Sequence, residues 1–194
     1  MRAIALNCTL KASDKESSQV LEAMAPYEVT AELVRVADLD IKPGVTSDEG
    51  PGDAWPDLRR RILAADILIV GTPIWLGQPS SVCKRVLERM DAFLSETDEA
   101  GRMVSFGKVA AVAVVGNEDG AHHVCAELYQ ALNDVGFSIA ATAGTYWIGE
   151  AMQGVDYKDL EKTPEQVAKA TKMLARNTVN LAGMLRGVSR RQRE

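Results

Sequence analysis

Four stretches of this sequence carry side chains that can do chemistry, and each follows an apolar run. "NCTLKASDKESSQV" (7–20) is rich in hydroxyls and contains Lys11 and Lys15. Thr9, Ser13, Ser17 and Ser18 can donate to phosphate oxygens, and Lys11 can neutralise charge. A helix opening near Ser17 adds free N–H groups and a favourable dipole. The same serines can equally serve as a helix N-cap, so both readings stand. "TPIWLGQPS" (72–80) joins a stiffening Pro73 to Trp75, Leu76 and Gly77. Its apolar surface and backbone amides suit a planar heterocycle. "GNEDGAHH" (116–123) brackets polar residues between Gly116 and Gly120, and the Asn117 amide can pair with a ring edge. "GTYWIGEAMQG" (144–154) sets Tyr146 beside Trp147. Only 5% of the residues are aromatic. Three of them near a hydroxyl-rich anion loop point to a pocket for a flat phosphorylated ligand.

Other chemistries fit less well. No GxGxxG follows the first apolar run, so the dinucleotide fingerprint is absent. "GRMVSFGKV" (101–109) spaces its glycines one residue too far apart for a P-loop and has Val109 where Ser or Thr would hold magnesium. Ser81 and Lys84 form an S-x-x-K string without its companion motifs. His122 and His123 lack partners at metal-ligand spacing and read as polar surface at a helix start. Cys8 reads as buried and inert. "LRRRILAA" (58–65) reads as a solvated helix face with Ile62 and Leu63 inward.

The elements that must position these loops alternate along the chain. Strands are predicted at 2–7, 28–36, 66–71, 108–116 and 137–144, and helices at 17–26, 53–65, 79–95 and 121–136. A last helix starts cleanly, with Thr163 as N-cap, Pro164 at N1 and Gln166 at N3. It turns Val167, Ala170, Leu174, Leu181 and Leu185 inward. The strands are continuously apolar rather than alternating, which means burial on both faces and a parallel sheet between helical layers. The expectation is an α/β fold: a doubly wound, five-stranded parallel sheet in a three-layer sandwich. Ligands then sit beyond the carboxyl ends of the strands, where the four stretches fall. The one long irregular stretch, "KPGVTSDEGPGDAWP" (42–56), reads as a lid, an interface or disorder.

The 194 residues suit a single domain spanning 1–194, with a basic tail from about 187 to 194 read as frayed and solvated. A net charge of −5 argues against a nucleic-acid partner. The N-terminal residues show no signal-peptide pattern, and no apolar run is long enough to span a membrane. Three separated cysteines, Cys8, Cys83 and Cys125, predict a reducing, cytoplasmic setting and no thiolate metal site.

These residues resemble the flavodoxin-like NADPH-dependent FMN reductases and their quinone-reductase relatives. The first loop is similar to that family's phosphate loop, which implies that Thr9, Lys11, Ser17 and Ser18 hold the FMN phosphate; Cys8 stands where the family usually has Gly. "ADILIVGTPIWLGQPSSVCKRVLERMD" (65–91) carries the strongest likeness. It implies flavin contacts from Pro73, Ile74, Trp75, Leu76, Gly77 and Gln78. "VVGNEDGAHH" (114–123) looks like the other wall, implying Asn117 and Gly120, with Tyr146 and Trp147 matching more loosely. The loop at 42–56 has no cysteine, which disfavours an iron-sulfur branch. The resemblance implies an FMN enzyme with NADPH or NADH as electron donor. A small acceptor such as a quinone or another flavin would take the electrons, with no catalytic side chain and no metal, in a homodimer or homotetramer. A flavodoxin-type electron carrier and a non-catalytic regulatory protein on the same fold are the alternatives.

Overall fold

The computed structural model describes residues 1–11, 19–150 and 153–191. Its strands are β1 (Arg2–Asn7), β2 (Thr30–Arg35), β3 (Ile67–Trp75), β4 (Gln78–Pro79), β5 (Val109–Val115) and β6 (Ser138–Trp147). Five of them form a parallel sheet in the order β2-β1-β3-β5-β6, and β4 pairs antiparallel with the end of β3. Taken in chain order the five parallel strands run 2-1-3-4-5, the flavodoxin-like doubly wound arrangement. The five-stranded parallel sheet is therefore as predicted, and the sixth strand is the two-residue β4.

The helices are α1 (Gln19–Met24), α2 (Trp55–Ala64), α3 (Ser81–Met90), α4 (Ala121–Asp134) and α5 (Glu165–Arg191). Alternate strand residues point to opposite layers. Ile4, Leu6, Leu68, Val70, Val112 and Val114 pack against α2, α3 and α4. Ala3, Ala5, Ile67, Ile69 and Ala111 pack against α1 and α5. This two-sided burial is why the strands read as unbroken apolar runs. On the second face the small residues Ala3, Ala5, Ala111, Ala143, Ala175 and Ala182 share one buried cluster, which lets α5 lie close to the sheet.

Several boundaries differ from the sequence reading, each for a local reason. β2 starts at Thr30 because Glu28 takes a left-handed conformation (φ 56°) after a 3-10 turn at Ala25–Tyr27. β3 runs on through Pro73 to Trp75, where a turn was predicted; Pro73 stands opposite Val115 and Trp75 opposite Gln78. β6 likewise runs to Trp147, so Tyr146 and Trp147 end a strand rather than sit on a loop. Between Ala110 and Val112 the β5–β6 register shifts at a bulge in β6. There Thr142 has φ 55°, and Asn177 Nδ2 donates to Ala141 O and Thr142 Oγ1 at 2.9 and 2.8 Å. The basic tail continues α5 as helix through Arg191 instead of fraying from 187.

The stretch at 42–56 is built around one buried ion pair. Arg89 on α3 donates to Asp53 Oδ2 (2.7 Å), Lys42 O (2.9 Å) and Thr46 O (3.1 Å). Both charged side chains are fully buried. Asp53 also accepts from the amides of Lys42, Glu49 and Trp55. Burial alone would push the Asp53 carboxyl up. Arg89 and the three amides outweigh it and hold the group well below the usual carboxylate range. The stretch is thus tied to α3 by its own carbonyls. Among the described residues no helix is long and apolar enough to cross a membrane.

Candidate functional site

A cleft of about 570 Å³ opens at the carboxyl ends of β1, β3, β5 and β6 and runs down between the sheet and α1 and α5. Its volume suits an organic cofactor. Residues from Ala5 to Thr171 reach it because four parallel strands deliver their ends and following segments to one edge. Of the predicted residues, Thr9, Lys11, Pro73, Ile74, Trp75, Asn117, Tyr146 and Trp147 line it together. A smaller hollow of about 310 Å³ lies elsewhere, between α3 and residues 36–41, and has no aromatic wall.

Four predicted residues stand beside the cleft rather than in it. Leu76 and Gly77 form the two-residue turn between β3 and β4, with φ of 53° and 74°. Positive φ at both positions is what a tight hairpin of this twist requires. Gly77 suits it, but Leu76 is strained there and is 93% exposed. Gln78 bonds His123, with Nε2 to Nε2 at 3.0 Å. Gly120 (φ 118°) opens α4, and a Cβ on it would lie 3.1 Å from Gly77 Cα. The Gly77 amide, expected to be open to a ring, donates to Glu118 Oε1 at 2.8 Å. Gly77, Gln78 and Gly120 therefore clamp the turn that presents Trp75, and Leu76 projects from it into solvent. Ser17 and Ser18 lie outside the described residues.

The rim is polar. Lys11 Nζ donates to Asp156 Oδ2 at 2.8 Å, and Asn117 Nδ2 to Asp156 Oδ1 at 3.3 Å. Tyr146 Oη and His122 Nε2 are 3.0 Å apart, with their rings edge-on at 5.1 Å. Trp147 packs on Tyr157 with ring centres 5.2 Å apart. Deeper in, the Thr145 and Thr171 hydroxyls meet at 3.0 Å. The sequence reading missed Asp156 and Tyr157, which lie in a polar stretch without a motif. His122 and His123 are exposed polar residues at the start of α4, as the sequence reading has them, and they also bond Tyr146 and Gln78.

The cysteines do not take part. Cys8 is fully buried, and a hydrogen bond with Cys83 and then burial raise its thiol well above the ordinary range. Burial pushes Cys125 up to about 11. Neither carries thiolate near neutrality. Among the described residues no three metal-ligating side chains gather.

Residues 1–153 match the family model of NADPH-dependent FMN reductases. Over 201 residues the chain is 31% identical to the 8-demethyl-8-aminoriboflavin-5'-phosphate synthase of Streptomyces davaonensis, covering 95% of this chain and 78% of that protein. The crystal structure of RosB with bound 8-demethyl-8-formylriboflavin-5'-phosphate superposes with a TM-score of 0.84 at 30% identity, covering 96% of this chain and 81% of that one. The chain is also 36% identical over 199 residues to a Mycobacterium bovis protein named divalent metal cation transporter MntH. That match covers 96% of this chain, which spans only 29% of that longer protein.

Proposed function

The chain belongs to the NADPH-dependent FMN reductase family, and from that premise we propose that its cleft binds FMN and that the protein is an NAD(P)H oxidoreductase passing electrons to a small acceptor such as a quinone or another flavin. The observation that carries this reading is the wall of Trp75, Tyr146 and Trp147 around a cleft with Lys11 and Asn117 at its mouth. The donor set fits the cofactor: apolar faces for a flat ring, Lys11 and Lys158 as cations for a phosphate, and hydroxyls at Thr9, Thr145 and Thr171 for a polyol chain. Bound there, FMN supplies hydride and electron transfer at its ring.

The chain's own residues bind and orient. Trp75 and Trp147 offer ring faces and exclude water. Asn117 pairs with a polar edge, and Lys11 neutralises the phosphate. The Tyr146 hydroxyl, held by His122 at 3.0 Å, would offer a hydrogen bond to a ligand at the open mouth. Gly77, Gln78 and Gly120 hold the β3–β4 turn in place.

A second reading draws on the flavin-converting relative and the flavin intermediate bound in RosB. In it the phosphorylated flavin is a substrate that comes and goes. Both readings need FMN-like ligands in the same cleft.

The test is an absorption spectrum of the purified protein before and after adding FMN, followed by gel filtration and by NADPH and NADH oxidation with and without a quinone. Flavin bands that survive the column, with acceptor-dependent turnover, support a resident cofactor. FMN that binds but exchanges, and returns altered by mass, supports the second reading. A chain that takes up no FMN overturns both. Trp75→Ala should weaken FMN binding roughly tenfold, equivalent to about 1.4 kcal/mol, with little loss of stability. Unchanged affinity would remove Trp75 from the site.

A further inference from the structure

The first loop and the segment after β6 meet across the mouth of the cleft. Lys11 Nζ bonds one oxygen of Asp156 at 2.8 Å, and Asn117 Nδ2 bonds the other at 3.3 Å. Lys11 Nζ also lies 5.8 Å from the centre of the Trp75 ring. Two donors that the flavin reading assigns to a ligand are thus engaged by the chain's own carboxylate. The next residue, Tyr157, is anchored on the other side. Tyr157 Oη donates to Gln19 Oε1 at 2.6 Å, Gln19 Nε2 donates to Thr163 Oγ1 at 2.9 Å, and Tyr157 packs on Trp147.

We propose that Asp156 is an internal competitor for the phosphate of the ligand, a specificity-determining residue that holds Lys11 until a phosphorylated flavin displaces it. The inference rests on the reading that a flavin binds in this cleft. The physical argument is charge. A phosphate monoester carries about −1.5 to −2 near neutrality, so it outcompetes one carboxylate for Lys11 and is then repelled by it. FMN has to break the Lys11–Asp156 pair and bear that repulsion; riboflavin, which carries no phosphate, does neither. Asp156 therefore weakens FMN selectively and speeds its release. This suits a flavin that exchanges with solution more than one bound for the life of the protein.

The experiment measures affinity and release rate for FMN and for riboflavin, by quenching of flavin fluorescence, in four proteins: wild type, Asp156→Asn, Lys11→Met and the double variant. Asp156→Asn keeps the shape and the contact with Asn117 but loses the charge. It should tighten FMN about fivefold, mainly through slower release, and leave riboflavin within about twofold. Lys11→Met should weaken FMN roughly tenfold. In that background Asp156→Asn should keep only the part of its gain that comes from direct repulsion of the phosphate, and so a smaller one than in wild type, because the contested cation is gone. FMN affinity that is unchanged or lower in Asp156→Asn overturns the proposal, as does an equal gain for both flavins. A wild type that binds neither flavin overturns the functional reading, and this inference with it. A wild type that binds FMN separates the two failures.

Discussion

Leu76 is the residue whose local cost is most visible. It sits in the left-handed region at φ 53° with its side chain almost wholly in water. That conformation costs a residue with a Cβ about 1–2 kcal/mol, and the exposed side chain recovers little by packing. Two-residue hairpins of this kind favour Asn-Gly or Gly-Gly. Leu76→Gly should therefore raise stability by about 1 kcal/mol in urea unfolding. If Leu76 is kept because it covers a bound ring, the same variant should also lose FMN affinity. Stability that falls instead would mean that the backbone freedom glycine adds to the unfolded chain outweighs the strain relieved at φ 53°. Trp75, one residue earlier, is the complement: it is 40% exposed at the end of a strand whose earlier residues are buried. Ser80, at the other end of the hairpin, is fixed tightly. Its hydroxyl caps α3 by accepting from the Cys83 amide and donates to Cys8 O at 2.7 Å, tying the first loop to the second.

At the scale of elements, the alternation of strand and helix was legible because burial on both faces leaves an apolar run and an amphipathic helix leaves a 3.6-residue period. What escaped was whatever depends on residues far apart in the chain. Pro73 reads locally as the start of a turn, yet it extends β3 where Val115 lies opposite it. Nothing around Asp53 or Arg89 announces that residues 36 positions apart form a buried pair, so 42–56 read as a lid, an interface or disorder. The pair makes a prediction. Asp53 gives up its proton more readily in the folded state than in the unfolded chain, so its contribution is complete above the ordinary Asp pKa of about 3.9. That contribution is lost as pH falls below this value. Asp53→Asn should cost roughly 3 kcal/mol at pH 7, because it leaves the Arg89 charge buried and unmatched. The gap between wild type and variant should narrow as the pH is lowered from 4 toward 2, read by urea unfolding at each pH. A gap that stays constant across that range would show that the loss comes from packing and not from the ion pair.

On the scale of the whole molecule, the cleft joins residues from Ala5 to Thr171, and the sheet edge is what gathers them. The aromatic members of the candidate site were legible because they are rare in this chain and come at the carboxyl ends of apolar runs, at the ends of β3 and β6. Asp156 and Tyr157 were not, since their places depend on a segment crossing back over the sheet to Gln19 and Lys11. A ligand that bridges these distant segments binds the folded state alone and must stabilise it. At a hundred times its dissociation constant, FMN should add about 2.7 kcal/mol, raising the melting temperature by roughly 5–10 °C for a chain of this size. The Arg89 anchor lies outside the cleft lining, so the two effects should be independent. Arg89→Ala should lower the starting melting temperature and still gain the same shift on adding FMN. If the variant folds but loses the FMN shift, the stretch at 42–56 belongs to the ligand site, and the anchor on α3 serves binding as well as stability. If the shift survives, the anchor serves the fold alone, and flavin recognition rests on the strand ends and on the segment that carries Asp156.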